Sequence, residues 1–194
     1  INYTSSDKAP DITEFADRIT EEVAKICSEL GISVPVLCFE PGRVISGPAG
    51  ITLYNVGTIK DVQINEAGVS GVRKYVSIDG GMSDNARPSL YSADYFPILA
   101  SRVSSAPAAL SRVVGKHCES GDIVVRNCYL PEDINPNDLI AVAATGAYCH
   151  SLASNYNYVT RPAIVAIKDG KVQVVLRAET EADMFARDPG FSEE

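Results

Sequence analysis

Short segments with the pattern of β-strands dominate the chain after Pro48. They are rich in β-branched and other apolar residues, and clusters of turn-forming residues separate each one from the next. The predicted strands cover residues 51–62, 73–79, 111–117, 122–129, 139–144, 163–168 and 171–177. The Asp169-Gly170 dipeptide between the last two is a strong signal for a hairpin turn. Many short strands with only brief helices predict a β-sandwich or β-barrel.

The part of the chain before Pro48 has a helical pattern instead. Apolar residues recur at three- and four-residue spacing from residue 11 to residue 30, which is typical of an amphipathic helix. Asp11 with Glu14 resembles a capping box, and Gly31 stands where a helix C-cap glycine belongs. We therefore predict a helix that begins after Asp11 and ends before Gly31.

The apolar run 34–39 follows this helix without any alternation of polar residues. Such a run predicts a strand that is buried on both faces, as in a parallel sheet. Helix, loop and buried strand together form an α/β unit. We predict a boundary near residue 48, with residues 1–48 as a remnant of an α/β barrel and residues 49–194 as a mainly β domain.

The charge of the chain limits its partners. Lys and Arg total 17 and Asp and Glu total 25, which gives a formal net charge of −8. The longest basic run is the pair Arg73-Lys74, so we expect no nucleic acid and no anionic membrane surface as partner. Apolar stretches are too short to span a bilayer and no signal peptide opens the chain, so we expect a cytoplasmic location.

The cysteines and histidines do not form a metal-binding pattern. There are five cysteines, an odd number without C-x-x-C spacing, and two histidines. These numbers argue against a disulfide framework and against a zinc site. We predict no metal site.

Two segments could bind an anionic ligand. Glu40-Pro41-Gly42-Arg43 follows the predicted buried strand, where α/β folds collect ligand-binding groups. The glycine-rich segment 79–88 presents Arg87, and Tyr91 follows four residues later. A four-residue segment like the first is more often a turn with a surface ion pair. The second could be a structural turn with a solvated arginine, because it contains neither G-x-G-x-x-G nor Walker A.

Two further segments could contribute reactive or polar groups. In Gly115-Lys116-His117-Cys118-Glu119-Ser120-Gly121-Asp122 a thiol stands beside a carboxylate in a polar loop between strands. A lone cysteine is usually an inert buried residue, but the polar neighbours and the loop setting make a reactive thiol more plausible here than at an average cysteine. Tyr148 follows an apolar strand, and its ring could belong to the core as easily as to a ligand site.

Taken in order, four blocks resemble the diaminopimelate decarboxylases. These enzymes belong to the fold-type III pyridoxal-phosphate enzymes, together with alanine racemase and ornithine decarboxylase. The resemblance covers essentially the whole chain. The blocks are EPGR, DGGMSDNARPSLY, GKHCESGD and TGAYCHSLASNYN, followed by Arg161-Pro162.

The resemblance implies an architecture and an assembly. An eight-stranded α/β barrel would bind pyridoxal 5'-phosphate, and a β domain would complete the site across a homodimer. Residues 34–39 would be the eighth barrel strand, and the segment that carries the Schiff-base lysine would lie outside this chain. We therefore expect this chain alone to lack decarboxylase activity.

The resemblance also assigns roles to the residues of the EPGR block and to Tyr148. Glu40 would face the pyridine nitrogen of the cofactor and keep it protonated. Pro41, Gly42 and Arg43 would lie by the cofactor, with Gly42 and Arg43 near its phosphate. Tyr148 would also lie by the phosphate, and both Arg43 and Tyr148 would reach the substrate.

The remaining roles concern the substrate, meso-diaminopimelate. Arg87 and Tyr91 would bind its distal carboxylate, because a guanidinium matches a carboxylate in charge and planar geometry. Glu119 would bind the distal ammonium. Cys118 would donate a proton to the carbon that loses CO₂, and both residues would come from the neighbouring subunit.

These roles imply a lyase of lysine biosynthesis that releases CO₂ and L-lysine. Two alternatives stay open at this point. A related decarboxylase could act on ornithine or arginine, although Arg87 would repel their distal cations. The β domain could also serve only dimerisation, without catalysis of its own.

Overall fold

The computed structural model describes residues 1–4, 6–66 and 69–191. The helices are α1 (Ile12–Leu30), α2 (Gly42–Ser46), α3 (Arg87–Tyr91) and α4 (Glu181–Phe185), with short 3-10 turns at Tyr156–Tyr158 and Pro189–Phe191. The strands are β1 (Ile51–Glu66), β2 (Val69–Ile78), β3 (Pro97–Leu99), β4 (Ala108–Val114), β5 (Ile123–Pro131), β6 (Leu139–Ala143), β7 (Ile164–Lys168) and β8 (Lys171–Leu176). The predicted mainly β architecture is confirmed.

Six strands form one sheet in the order β3-β6-β1-β2-β4-β5, and β7 with β8 forms a separate hairpin. Neighbours are antiparallel except β2 and β4, which are parallel. The outer strands β3 and β5 approach each other, so the sheet nearly closes into a barrel. Alternate side chains of the strands point inward, as the two-residue period requires. Fully buried core residues include Val76, Val113, Leu130, Ile140 and Val142.

Strand β1 connects the two halves of the sheet. Its first residues, Ile51 to Asn55, pair with β6. From Val56 onward the same strand pairs with β2, after a register irregularity between Val56 and Ile59. Both sides of the sheet therefore depend on a single strand.

The predicted amphipathic helix is confirmed as α1. Its N-cap Asp11 accepts a hydrogen bond from the backbone N–H of Thr13 through its carboxylate. Gly31 adopts a left-handed conformation with φ 65°, and its N–H bonds to carbonyl groups of the last turn. This is the conformation for which glycine is favoured at a helix end. Among the described hydrogen bonds Glu14 returns none to Asp11, so the cap is one-sided.

The predicted strand at residues 34–39 is wrong. The segment pairs with none of the described strands, and Val36 is 91% exposed. A buried parallel strand needs strands on both sides to bond its backbone, and no such neighbours stand beside this segment in the described part of the chain. Phe15 and Leu30 of α1 are also largely exposed. The assignment of residues 1–48 to a barrel remnant stays a prediction.

None of the helices in the described ranges combines the length and the apolar character that crossing a bilayer requires.

Replacing a core side chain tests the importance of the nearly closed sheet. Leu130 of β5 is 1% exposed. Leu130→Ala should lower the free energy of unfolding by about 2–5 kcal/mol, because it removes buried apolar contacts and leaves a cavity. Urea titration followed by circular dichroism measures this change. Val103→Ala is the control, since Val103 is 98% exposed and its truncation should leave the midpoint nearly unchanged. Equal losses in both variants would contradict the position of the core.

Candidate functional site

A cavity of about 540 Å³ brings together four of the residues singled out by the sequence. Arg43, Arg87, Tyr91 and Tyr148 all line it. The other lining residues are Tyr3, Ala93, Asp94 and Leu152. Two arginines and several phenol groups on one cavity wall are suited to bind an anionic ligand.

The loop after β2 delivers Arg87 to this cavity. The Asp84 carboxylate accepts hydrogen bonds from the backbone N–H of Gly81 (2.7 Å) and from the Tyr54 hydroxyl. A Cβ on Gly80 would lie 2.3 Å from the Tyr54 ring, so the close turn requires glycine there. Burial raises the pKa of Asp84, although these hydrogen bonds oppose the shift. The loop is thus held against the sheet, and α3 begins at Arg87.

Arg87 is a nearly buried cation held by tyrosines. It is 7% exposed, and its Nη1 donates to the hydroxyls of Tyr95 (2.8 Å) and Tyr3 (2.9 Å). The rings of Tyr3, Tyr95 and Tyr148 lie 5.2, 5.9 and 5.5 Å from its Cζ. Burial lowers the pKa of Arg87, but the bonds to Tyr95 and Tyr3 outweigh burial and raise it overall.

No carboxylate forms a salt bridge with Arg87 in the described part of the chain. A buried charge is costly unless it is paired. The present contacts of Arg87 are aromatic rings and neutral hydroxyls, which hold the cation without supplying a counter-ion. Arg87 is therefore ready to accept an anionic partner from the cavity.

The turn after β6 fits closely against the end of α2. Thr145 N–H bonds to the Gly50 carbonyl (3.0 Å), and Gly146 N–H bonds to the Gly47 carbonyl (3.2 Å). A Cβ on Gly146 would lie 1.9 Å from the Ser46 carbonyl oxygen. Only glycine permits this approach, which brings Tyr148 to the same cavity as Arg43.

The backbone of Tyr148 itself is unusual. Its φ is 69°, in the left-handed region that side-chain-bearing residues seldom adopt. Strained backbone of this kind clusters at ligand sites. The ring that it presents is half exposed, so Tyr148 belongs to the cavity wall and not to the core.

The other residues of the EPGR block do not line the cavity. Glu40, Pro41 and Gly42 are exposed, and Pro41 occupies the N-cap of α2. A Cβ on Gly42 would meet nothing within 4 Å, so the backbone there is open to approach.

Cys118 and Glu119 lie in the loop between β4 and β5, apart from the cavity walls. Cys118 is exposed, and its Sγ donates to Glu119 Oε1 at 3.3 Å. The Tyr156 hydroxyl donates to the same oxygen and is the main cause of the lowered pKa of Glu119. Glu119 Oε2 is shielded from solvent and has no partner among the described residues. This carboxylate is charged and has one oxygen still available to accept.

A buried aspartate that the sequence reasoning missed connects this loop with the loop of Arg87. Asp122 accepts from the backbone N–H of Met82 (2.6 Å) and of His117 (2.8 Å). A Cβ on Gly115 would lie 2.1 Å from an Asp122 oxygen, so the two loops close tightly around it. Its place at the end of the GKHCESGD block was the available signal. Tyr3 and Tyr95 were also missed, because both lie outside the four blocks. Tyr156 was missed although it lies within the fourth block.

No cluster of three or more potential metal ligands occurs within the described ranges.

The fold and these blocks define a class. The family model described as "Pyridoxal-dependent decarboxylase, C-terminal sheet domain" matches residues 11–146. The match extends over more than half of the chain, so the chain belongs to this family.

Individual relatives narrow the comparison to one type of enzyme. The chain is 53% identical over 186 residues to the diaminopimelate decarboxylase of Mycobacterium tuberculosis strain H37Rv, covering 96% of the chain and 41% of the relative. It is 42% identical to that of Bacillus subtilis, covering 98% and 42%. A crystal structure of the M. jannaschii diaminopimelate decarboxylase with L-lysine superposes with TM-score 0.81 at 31% identity, covering 96% and 40%. The chain spans about two fifths of the length of the curated relatives it matches.

The hydrogen bond between Tyr156 and Glu119 gives a direct titration test. Tyr156→Phe should raise the pKa of Glu119 toward its ordinary value, because the largest stabilisation of its charged form is removed. Glu119 would then lose its charge at a higher pH than in the unaltered protein. NMR titration of carbon-13-labelled glutamate measures the shift. Tyr158→Phe is the matched control, since the Tyr158 ring stacks on Phe185 and is not among the groups that shift the pKa of Glu119. An unchanged Glu119 titration would contradict the hydrogen bond.

Proposed function

We propose that this chain is the carboxyl-terminal part of a diaminopimelate decarboxylase that acts in the cytoplasm. The whole enzyme would remove CO₂ from meso-diaminopimelate and leave L-lysine. The observation that carries the proposal is the nearly buried Arg87 at a cavity, without a salt-bridge partner in the described ranges, in a chain of this family. We further propose that residues 1–48 belong to the barrel and residues 49–194 to the β domain.

The charge of Arg87 favours this substrate over related amino acids. Diaminopimelate carries a carboxylate and an ammonium at the end that does not react, whereas ornithine and arginine carry only a cation there. A distal carboxylate would supply the missing counter-ion of Arg87. A distal cation would be placed against a like charge of low solvent access, which costs several kcal/mol by order of magnitude. Tyr91 lines the same cavity and is able to donate a further hydrogen bond.

The residues near α2 fit the phosphate and the ring nitrogen of pyridoxal 5'-phosphate. Open backbone at Gly42, the guanidinium of Arg43 and the hydroxyl of Tyr148 are donors of the type that phosphate requires. The exposed carboxylate of Glu40, next to Pro41, would hold a proton on the pyridine nitrogen. When bound, the cofactor would supply the electron sink that decarboxylation needs.

Cys118 and Glu119 would act in the site of a neighbouring subunit of a homodimer. Their position away from the cavity supports this assignment, because neither side chain lines the walls formed by Arg43 and Arg87. Glu119 Oε2 would accept from the distal ammonium of the substrate. The exposed thiol of Cys118 would donate its proton to the carbon that has lost CO₂.

A purely structural β domain is the weaker alternative. A domain that served only dimerisation would have no need for a cation of low solvent access beside a cavity. It would also not require left-handed backbone at Tyr148. These features give the catalytic proposal its advantage.

Replacing the proposed proton donor should affect chemistry more than binding. In the full-length enzyme, Cys118→Ala should lower kcat by about 10²-fold or more, the range for general acid catalysis, while KM for diaminopimelate changes little. Steady-state kinetics measures both constants. Val103→Ala is the control, because Val103 is 98% exposed and lies outside the cavity. An unchanged kcat in Cys118→Ala would show that this thiol does not donate the proton.

Replacing Arg87 should remove selectivity for the distal carboxylate. L-Lysine, the product, retains that carboxylate, whereas cadaverine is the same diamine without it. In the full-length enzyme, Arg87→Ala should weaken inhibition by L-lysine and lower kcat/KM for diaminopimelate by roughly one to two orders of magnitude. Inhibition by cadaverine should hardly weaken. The control is Arg177→Ala, whose exposed guanidinium pairs with Asp183 outside the cavity. Equal losses for both ligands would mean that Arg87 supports the fold or the cofactor instead.

A further inference from the structure

The hydrogen bonds of Arg87 leave only one edge of its guanidinium available. The Nη1 atom carries two N–H bonds, and both are used, one by Tyr95 and one by Tyr3. Nε and Nη2 form no hydrogen bond with any residue in the described ranges. A carboxylate that enters the cavity can therefore pair with Arg87 only through its Nε and Nη2 edge, in a two-bond side-on arrangement.

Tyr95 is fixed in the core by a chain of further hydrogen bonds. It is 2% exposed, and its hydroxyl lies 3.5 Å from Cys149 Sγ. Cys149 in turn donates to Asn85 Oδ1, also at 3.5 Å. Burial raises the pKa of Cys149, so the thiol keeps the proton that it donates. With that direction fixed, Tyr95 donates to Cys149 and accepts from Arg87.

The chain of bonds closes on the residue where it begins. Asn85 Oδ1 also accepts the backbone N–H of Arg87 at 3.4 Å. Arg87 side chain, Tyr95, Cys149, Asn85 and Arg87 backbone thus form a ring of hydrogen bonds. The guanidinium and its own backbone are held to one buried framework, which restricts rotation of the side chain.

Tyr3 differs from Tyr95 in this respect. Tyr3 lines the cavity and is only partly buried, and its ring packs edge-on against Tyr95. It can contact a ligand, whereas Tyr95 does not line the cavity. An effect of Tyr95 on binding must therefore act through Arg87.

We propose that Tyr95 is the positioning residue that gives the site its selectivity for a distal carboxylate. By holding Nη1, Tyr95 reserves the Nε and Nη2 edge of Arg87 for that carboxylate. The inference rests on the proposed function, because it assumes that Arg87 binds the distal carboxylate. Tyr95 takes no part in proton transfer.

The test uses Tyr95→Phe in the full-length holoenzyme, which removes the hydroxyl and keeps the ring. Inhibition constants are measured for L-lysine and cadaverine, together with kcat and KM for diaminopimelate. Inhibition by L-lysine should weaken about tenfold, the loss typical of one hydrogen bond to a charged group. Cadaverine inhibition should stay within about twofold, and KM for diaminopimelate should rise with kcat nearly constant.

The chain offers a matched control for the loss of a hydroxyl beside an arginine. Tyr75 OH accepts from Arg112 Nη1 at 3.0 Å, and Arg112 Cζ lies 5.4 Å from the Tyr75 ring. Neither residue lines the cavity. Tyr75→Phe should change none of the four constants.

The outcomes separate the inference from the proposed function. If Arg87→Ala weakened inhibition by L-lysine and by cadaverine equally, the role of Arg87 in the proposed function would be wrong, and the inference would be wrong as well. Suppose instead that Arg87→Ala weakened inhibition by L-lysine alone. If Tyr95→Phe then left inhibition by both compounds unchanged, or weakened both equally, the inference alone would be overturned. Should Tyr95→Phe not fold, Cys149→Ala tests the same ring by releasing the Tyr95 hydroxyl. Cys149→Ala should then weaken inhibition by L-lysine and leave inhibition by cadaverine nearly unchanged. Equal effects on the two inhibitors, or no effect on either, would overturn the inference.

Discussion

The pairing of one long strand with two different partners underlies the rest of this structure. The first residues of β1 pair with β6, and the later residues pair with β2. Because β6 is antiparallel to β1, its end at Ala143 lies beside Ile51, and the turn that carries Tyr148 reaches the segment of Arg43. Because β2 ends opposite Val56, the loop that carries Arg87 leaves the sheet only a few residues further along β1. The cavity is thus a consequence of the double pairing of β1.

An element could be predicted from the sequence when the interactions that form it lie within its own segment of the chain. Helix α1 and the strands after Ile51 were predicted because their apolar periodicity is contained in the segments themselves. The strand at 34–39 was wrong because a strand is completed by neighbours that its own residues do not specify. Strand β3 was missed because its three residues are too few to show a period.

The residues of the candidate site also fall into those that the sequence predicted and those that it did not. The four blocks contained Arg43, Arg87, Tyr91 and Tyr148, and these side chains do share one cavity. The ring through Tyr95 and Cys149 could not be predicted, since these two residues are 54 positions apart and each reads as an ordinary core residue. Hydrogen bonds over such separations are set by the fold of the sheet. The sequence predicts that the Arg87 guanidinium lies at a ligand site. It does not predict which edge of the guanidinium is left available to the ligand.

Asp122 has a consequence for protein engineering. Its carboxylate accepts from backbone N–H groups in two loops, and the absence of a Cβ at Gly81 and at Gly115 lets both loops close around it. Each loop therefore takes part of its support from the other. An attempt to transplant the loop of Arg87 into another scaffold, or to diversify it in a library, would release the loop of Cys118 as well. The two loops and their shared aspartate are one exchangeable module and have to be moved together.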